Sequence, residues 1–194
     1  MITLLLDSSG TNMSVGLAEN HVLLGAIEEV AWQQQSELMV ARIDELLVKH
    51  NVDRLKIDEI IVGIGPGSYT GVRIGVTIAK VIAVSLNIPV YPVSSLQIME
   101  GNVRPSVSVM NARRNRSYVG VYFEGAVILE DQIMENADLF NYLNEHPDYL
   151  LTGDVAYLDK VSAPFNRFIN MLKLRPTLVA HPNVLALAPR YLKD

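Results

Sequence analysis

The sequence predicts an α/β protein built from two related halves, each a mixed sheet with flanking helices, the second half degenerate. Three observations predict it. Three short apolar runs of alternating pattern precede the first helical stretch; a glycine-rich turn then joins an apolar strand to a long apolar helix; and the opening hairpin pattern returns in the second half of the chain. The 194 residues suffice for one large domain or two small ones, and 49% hydrophobic against 19% charged residues argues for a packed core.

The elements follow in order. Residues 2–6 form an apolar run ending in Asp7, followed by the turn-rich Ser8-Ser9-Gly10-Thr11-Asn12. Alternation resumes through Ser14-Val15-Gly16-Leu17-Ala18, breaks at Glu19-Asn20 and restarts from Val22 to Ile27, which reads as three antiparallel strands. Ser36 is placed to cap a helix to about Lys49, with Met39, Ile43, Leu46 and Leu47 on one face. Glu59 to Ile64 reads as a buried strand, a helix follows over about 70–86, Pro89 to Val93 is a fifth strand, and Ser94-Ser95 opens a short helix to about Glu100. Three strands, helix, strand, helix, strand is the order of a ribonuclease H-like unit. A boundary near Gly101-Asn102 divides a first unit, 1–100, from a smaller unit, 101–182, of related topology. There, strands are expected at Val107–Met110, Ser117–Tyr122, 127–134 and Tyr149–Gly153, with a helix near 137–145; the last segment, 183–194, is expected as a helix returning to the first unit.

An offset of 104 residues lays Asp7 over Asn111 and Val15-Gly16-Leu17 over Val119-Gly120-Val121. Chance matches so few positions as readily as duplication does. A duplication would imply the two-lobed architecture of the actin, sugar kinase and heat-shock ATPase superfamily.

A net charge of −5 gives no broad basic surface for nucleic acid. Absence of cysteine removes disulfides and thiolate sites and suits a reducing, cytoplasmic setting. The start lacks a signal-peptide pattern, and the apolar stretch Ile74–Leu86 is interrupted by Thr77, Lys80 and Ser85, so no membrane span is expected. His21, His50, His146 and His181 have no metal-ligand spacing, and no catalytic residue is assigned.

Gly63-Ile64-Gly65-Pro66-Gly67-Ser68-Tyr69-Thr70-Gly71 feeds a helix N-terminus. Such a turn either receives an anion on free N–H groups or lets strand and helix pack closely; it lacks the endings of a P-loop or a dinucleotide fingerprint. In the helix that follows, Val72, Val76, Ala79, Ile82, Ala83 and Leu86 fill one face, while Ile74, Ile78 and Val81 widen the apolar arc beyond what one sheet face needs. The excess serves either a second internal layer or a protein partner. Arg113, Arg114 and Arg116 are either a solvated turn or an RNA-contacting patch.

The motif Gly63 to Gly75 closely resembles the TsaB (YeaZ) family, supported by Leu5-Leu6-Asp7-Ser8-Ser9, Ser36-Glu37, Pro92-Val93-Ser94-Ser95-Leu96, Asn111-Ala112-Arg113-Arg114 and Pro189-Arg190-Tyr191-Leu192. Gln35 stands where that family usually has His, and Asn111 where Asp is common. The resemblance implies an actin-like fold and a non-catalytic subunit. Its partners are a TsaD-like catalytic subunit, which places threonylcarbamoyl on N6 of adenosine 37 in ANN-decoding tRNAs, and a TsaE-like ATPase; tRNA is met through the complex. It implies docking through the first two helices, here Met39, Ile43, Leu46, Val72, Gly75, Val76, Ala79, Ile82 and Ala83, with a homodimer when the chain is isolated. Asp7 with Ser9 and Thr11 resembles the phosphate-1 loop of the actin-like superfamily, where an acidic residue holds a metal–nucleotide. With Gly65, Gly67, Ser68 and Thr70 these are the anion- or nucleotide-proximal positions. The chain alone requires no cofactor; ATP or ADP and Mg enter only at the level of the complex. The alternative is a stand-alone actin-like phosphotransferase or glycoprotease-like peptidase.

Overall fold

Leu4 and Leu6 point to one side of the first strand and Thr3, Leu5 and Asp7 to the other, and all five are buried. A strand covered on both faces belongs at the centre of a sheet. β1 (Ile2–Asp7) holds that place: β2 (Asn12–Glu19) and β3 (Val22–Val30) extend it by antiparallel hairpins, and β4 (Ile57–Gly63) and β5 (Val90–Val93) run parallel, in the order β3-β2-β1-β4-β5. The structure, a computed structural model, describes residues 1–31 and 34–192.

Helices α1 (Gln35–Lys49) and α2 (Tyr69–Leu86) cover one face of this sheet. Their Met39, Leu46, Val72, Val76 and Ala79 pack on Leu4, Leu6, Val15, Ile60 and Val62. α2 has the length and composition to cross a membrane, yet its glycine, alanine and valine side is part of this core.

A second sheet contains β6 (Ser106–Arg113), β7 (Arg116–Phe123), β8 (Ala126–Glu135) and β9 (Leu150–Gly153) in the order β8-β7-β6-β9. This repeats the first sheet without a counterpart of β5. Helix α3 (Asn136–Glu145) covers it through Leu139, over Val107, Val109, Val119 and Val121.

The register corrects the single offset read from sequence. Asp7 pairs with Ser14 and Leu6 with Val15, whereas Met110 pairs with Tyr118 and Val109 with Val119. β2 and β7 therefore correspond at the expected offset of 104, but β1 and β6 correspond at 103. Six residues separate Asp7 from Ser14 and seven separate Met110 from Tyr118, the ladder shifting between Asn111 and Arg113. One added residue moves side chains to the opposite face, so the counterpart of Asp7 is Met110, not Asn111.

Two further expectations are corrected, and one helix had not been expected. The helix expected over 94–100 is a 3-10 turn, Gln97–Met99, its entry fixed by Ser94 Oγ accepting from Leu96 N and Gln97 N. The helix expected over 183–194 is, within 183–192, a 3-10 turn, Val184–Ala186, followed by extended chain; Pro189 disfavours helical geometry at Ala188, and residues 193–194 lie outside the described residues. This segment returns to the first sheet as a strap: Leu187 enters the core beside α2, and Arg190 N donates to Ile64 O at 2.7 Å. Helix α4 (Arg167–Leu174) was not expected. Its Phe168 and Met171 pack with Leu5, Ile61, Met110 and Tyr122 between the two sheets.

Candidate functional site

Most residues expected to meet a partner are core. Met39, Leu46, Val72, Val76, Ala79 and Ala83 are at most 2% exposed, and Ile43 is buried at the groove edge described below. Gly75 faces the chain's own first loop: a Cβ there would stand 2.8 Å from Ser8 Oγ, and at Gly71 it would overlap the Ser8 carbonyl, while Ser8 Oγ donates to Gly71 O at 2.7 Å. The small residues are needed for that close internal approach, so their side of α2 turns inward. The outer side keeps the excess apolar surface. Val40 and Val81 are 55% and 61% exposed. With Ile43, Leu47, Ile78, Ile82 and Leu86 they line a groove of ≈590 Å³ between α1 and α2. Of the nine nominated residues, Ile43 and Ile82 border it.

Asp7 is fully buried. Its Oδ1 accepts from Ser95 Oγ at 3.1 Å and Ser9 N at 3.3 Å; its Oδ2 accepts from Ser9 Oγ at 3.1 Å and Arg167 Nη1 at 2.8 Å. Arg167 Nη2 donates to Glu28 Oε1 at 2.9 Å. A metal-bound nucleotide does not fit at this carboxylate, because its oxygens already meet four donors, a guanidinium among them. Arg167 was missed from sequence: an arginine and the buried Asn170, whose Nδ2 donates to Ile98 O and Glu100 O, break the apolar period by which a short helix is recognised.

In front of this buried pair a polar cleft of ≈580 Å³ opens between the halves. Ser9, Thr11, Gly67, Ser68 and Thr70 line it, as nominated, joined by Gln35, Asn111, Arg113, Tyr118 and Asp154. Both positions that depart from the family pattern thus fall in one cleft. Asp7 and Gly65 do not line it: Gly65 N donates to Ser95 Oγ at 3.0 Å, and a Cβ at Gly65 would press on Arg190 O. Burial pushes the Asp154 carboxyl above its usual range. By register Asp154 follows β9 where Gly63 ends β4, a correspondence visible only once β1 and β6 are aligned. Ser68 caps α2, its Oγ accepting from Gly71 N at 3.2 Å. The cleft is thus a hydroxyl- and amide-rich surface with one cation and one carboxyl.

The three arginines sit together at the tip of the β6–β7 hairpin, where Arg113 pairs with Arg116 across the ladder. Arg113 lines the cleft, whereas Arg116 lines a separate acidic groove with Glu135, Asp138 and Glu145. Arg114 and Asn115 form a two-residue turn with φ of 53° and 60°, leaving Arg114 exposed at its tip. Among the described residues no three His, Asp or Glu stand together as a metal-binding group.

Residues 20–166 match the family model described as "TsaD: tRNA N6-adenosine threonylcarbamoyltransferase". The chain is 33% identical over 153 residues to the tRNA threonylcarbamoyladenosine biosynthesis protein TsaB of Bacillus subtilis, covering 75% of this chain and 67% of that protein. It is 30% identical over 150 residues to the protein of the same name from Haemophilus influenzae, covering 68% and 64%. The matches thus span about two thirds of these curated relatives. YeaZ from Pseudomonas aeruginosa superposes with a TM-score of 0.76 at 22% identity, over 98% of this chain and 99% of that one. An uncharacterized protein with similarity to peptidase YEAZ, also from P. aeruginosa, superposes with a TM-score of 0.78 at 22% identity, over 99% of each. At that identity the structures speak for a shared α/β fold of two sheets. On the family match and the identity to the B. subtilis protein, the chain belongs to the TsaB (YeaZ) family, whose named members are tRNA threonylcarbamoyladenosine biosynthesis proteins.

Proposed function

We propose that this chain is a non-catalytic subunit in threonylcarbamoyl transfer to N6 of adenosine 37 of ANN-decoding tRNAs. It binds a TsaD-like catalytic subunit, works with a TsaE-like ATPase, and meets tRNA through that complex in the cytoplasm. The observation that carries this reading is the apolar groove between α1 and α2. Val40 and Val81 stand open, with the half-buried Ile78 between them, along two helices that already have a full core on their other side. Contiguous apolar surface of this kind marks a protein-binding face, and docking helix on helix buries it without rearranging the fold. In isolation the same face favours a homodimer. The saturated Asp7 favours a supporting role over phosphoryl transfer, and any nucleotide in the complex is then held by groups other than Asp7.

The test is Val40→Asp with Val81→Asp in a titration against the TsaD-like subunit. The expected result is an unchanged circular dichroism spectrum with affinity lowered at least about 100-fold, as for loss of a central apolar contact. Unchanged affinity would remove the groove from the account. Val76→Asp is not a substitute, since it places a charge inside the core and unfolds the chain.

A further inference from the structure

The Asp7 loop resembles one that holds a metal–nucleotide, yet here its carboxylate is engaged from within the chain. We infer that Arg167 is a resident cation: its guanidinium fills, between Asp7 and Glu28, the place a divalent metal would take. The argument is one of charge and anchorage. Asp7 and Glu28 bring two carboxylates to one guanidinium, at 2.8 and 2.9 Å. Removing a buried counter-ion leaves the remaining charge unpaired at high cost, so a metal arriving at Asp7 has to displace Arg167 and break its ion pairs with Asp7 and Glu28. Displacement is opposed by the backbone. Arg167 begins α4, whose entry is capped by Asn166 Oδ1 accepting from Phe168 N and Ile169 N at 3.1 Å, and whose Asn170 is bonded to two carbonyls of the first half. Phe165 lies 5.7 Å from the guanidinium on the other side.

The converse has a chemical signature. Deleting the guanidinium leaves the carboxylates of Asp7 and Glu28 facing one gap with Ser9 Oγ beside them, a set of hard oxygen donors suited to Mg²⁺, Mn²⁺ or Ca²⁺. Arg167→Ala is thus a latent divalent-cation site, and the natural chain is one in which that site is closed. This inference is independent of the partner-subunit reading.

Thermal unfolding of the full chain with Mn²⁺ as probe, together with calorimetric titration of Mg–ATP, tests it. The natural chain is expected to show no Mn²⁺-dependent change in Tm and no saturable Mg–ATP binding. Arg167→Ala is expected to melt several degrees lower and to regain part of that loss in millimolar Mn²⁺, because a ligand bound only by the folded state stabilises it. Asp7→Asn combined with Arg167→Ala is expected to melt above Arg167→Ala without metal and not to respond to Mn²⁺. Saturable Mg–ATP or Mn²⁺ binding by the natural chain that Asp7→Asn abolishes overturns the inference. Strictly additive Tm changes for the two substitutions overturn it as well, since groups in direct contact couple. Should Arg167→Ala not accumulate as folded protein, the double variant decides. Recovery of folding without a Mn²⁺ response supports a resident cation, and failure to recover contradicts it.

Discussion

The β1–β2 and β6–β7 hairpins hold equivalent places in two sheets of the same strand order, and they end in opposite chemistry. The first opens into the wide loop Ser8-Ser9-Gly10-Thr11 and sets Asp7, wholly buried, against Arg167. The second closes in the tight turn Arg114-Asn115 and sets Met110 at the matching register, packed with Phe168 and Tyr122. Further down the strands the contrast repeats. Thr3 pairs with Glu59, which Arg175 holds at 2.7 Å, while Ser106 pairs with Leu150. At these matched positions the first half carries the buried carboxylates of Asp7 and Glu59, met by Arg167 and Arg175, and the second carries Met110 and Leu150; its own buried carboxylate, Asp131, lies elsewhere, on β8, and is met by Arg190. Two facing carboxylates, as a nucleotide cleft between matched lobes would use, are thus absent from these equivalent positions.

That contrast can be broken by substitution at matched positions. Asp7→Ala leaves Arg167 buried without its main counter-ion and is expected to cost about 3–5 kcal/mol in chemical denaturation. Met110→Leu, its register counterpart, is expected to cost less than about 1.5 kcal/mol; equal losses would mean that the two hairpins carry equivalent loads. Glu59→Gln weakens charge-assisted bonds from Thr3 and Arg175, and a loss of about 1.5–3 kcal/mol is expected by the same measurement. Leu150→Met at the matching place is expected to stay within about 1.5 kcal/mol. At the tight turn, Arg114→Gly relieves a left-handed backbone at a non-glycine residue and is expected to raise stability by roughly 0.5–1 kcal/mol.

The smallest effect concerns pH. Glu100 lies where the first half passes to the second and accepts from Gly125 N; burial raises its carboxyl above the ordinary 4.5. The folded chain therefore binds that proton more tightly than the unfolded chain. Stability contributed by this group is full below pH 4.5 and falls as pH rises through the raised value. Glu100→Gln is expected to flatten the stability profile just above pH 4.5 and to leave the fold intact, because an amide oxygen still accepts from Gly125. A profile unchanged by Glu100→Gln would show that the group does not contribute.

Much of the fold was legible because alternation and helical period survive in the segments that make it: β1 to β4, α1, α2 and the β6–β7 hairpin all follow their apolar patterns. What was not legible depends on contacts between distant segments. Arg167 and Asn170 look like surface residues until Asp7 and the carbonyls of Ile98 and Glu100 are placed beside them. The inner and outer sides of α2 are both apolar, so composition alone could not say which meets the sheet; the Ser8 loop over Gly71 and Gly75 settles it. The register between the halves turns on one added residue near Asn111. The cleft residues Ser9, Thr11, Ser68 and Thr70 were recognisable as loop hydroxyls, whereas Asp154 gave no local signal.

The outward side of α1 and α2 remains the surface on which the proposed role stands. Hydrogen exchange of the full chain, alone and with the TsaD-like subunit, measures its cover residue by residue. The account predicts added protection along α1 and α2, strongest around Ile78 and Val81, with little change in β8 and α3. Protection confined to the second sheet, with α1 and α2 exchanging as in the free chain, would contradict it.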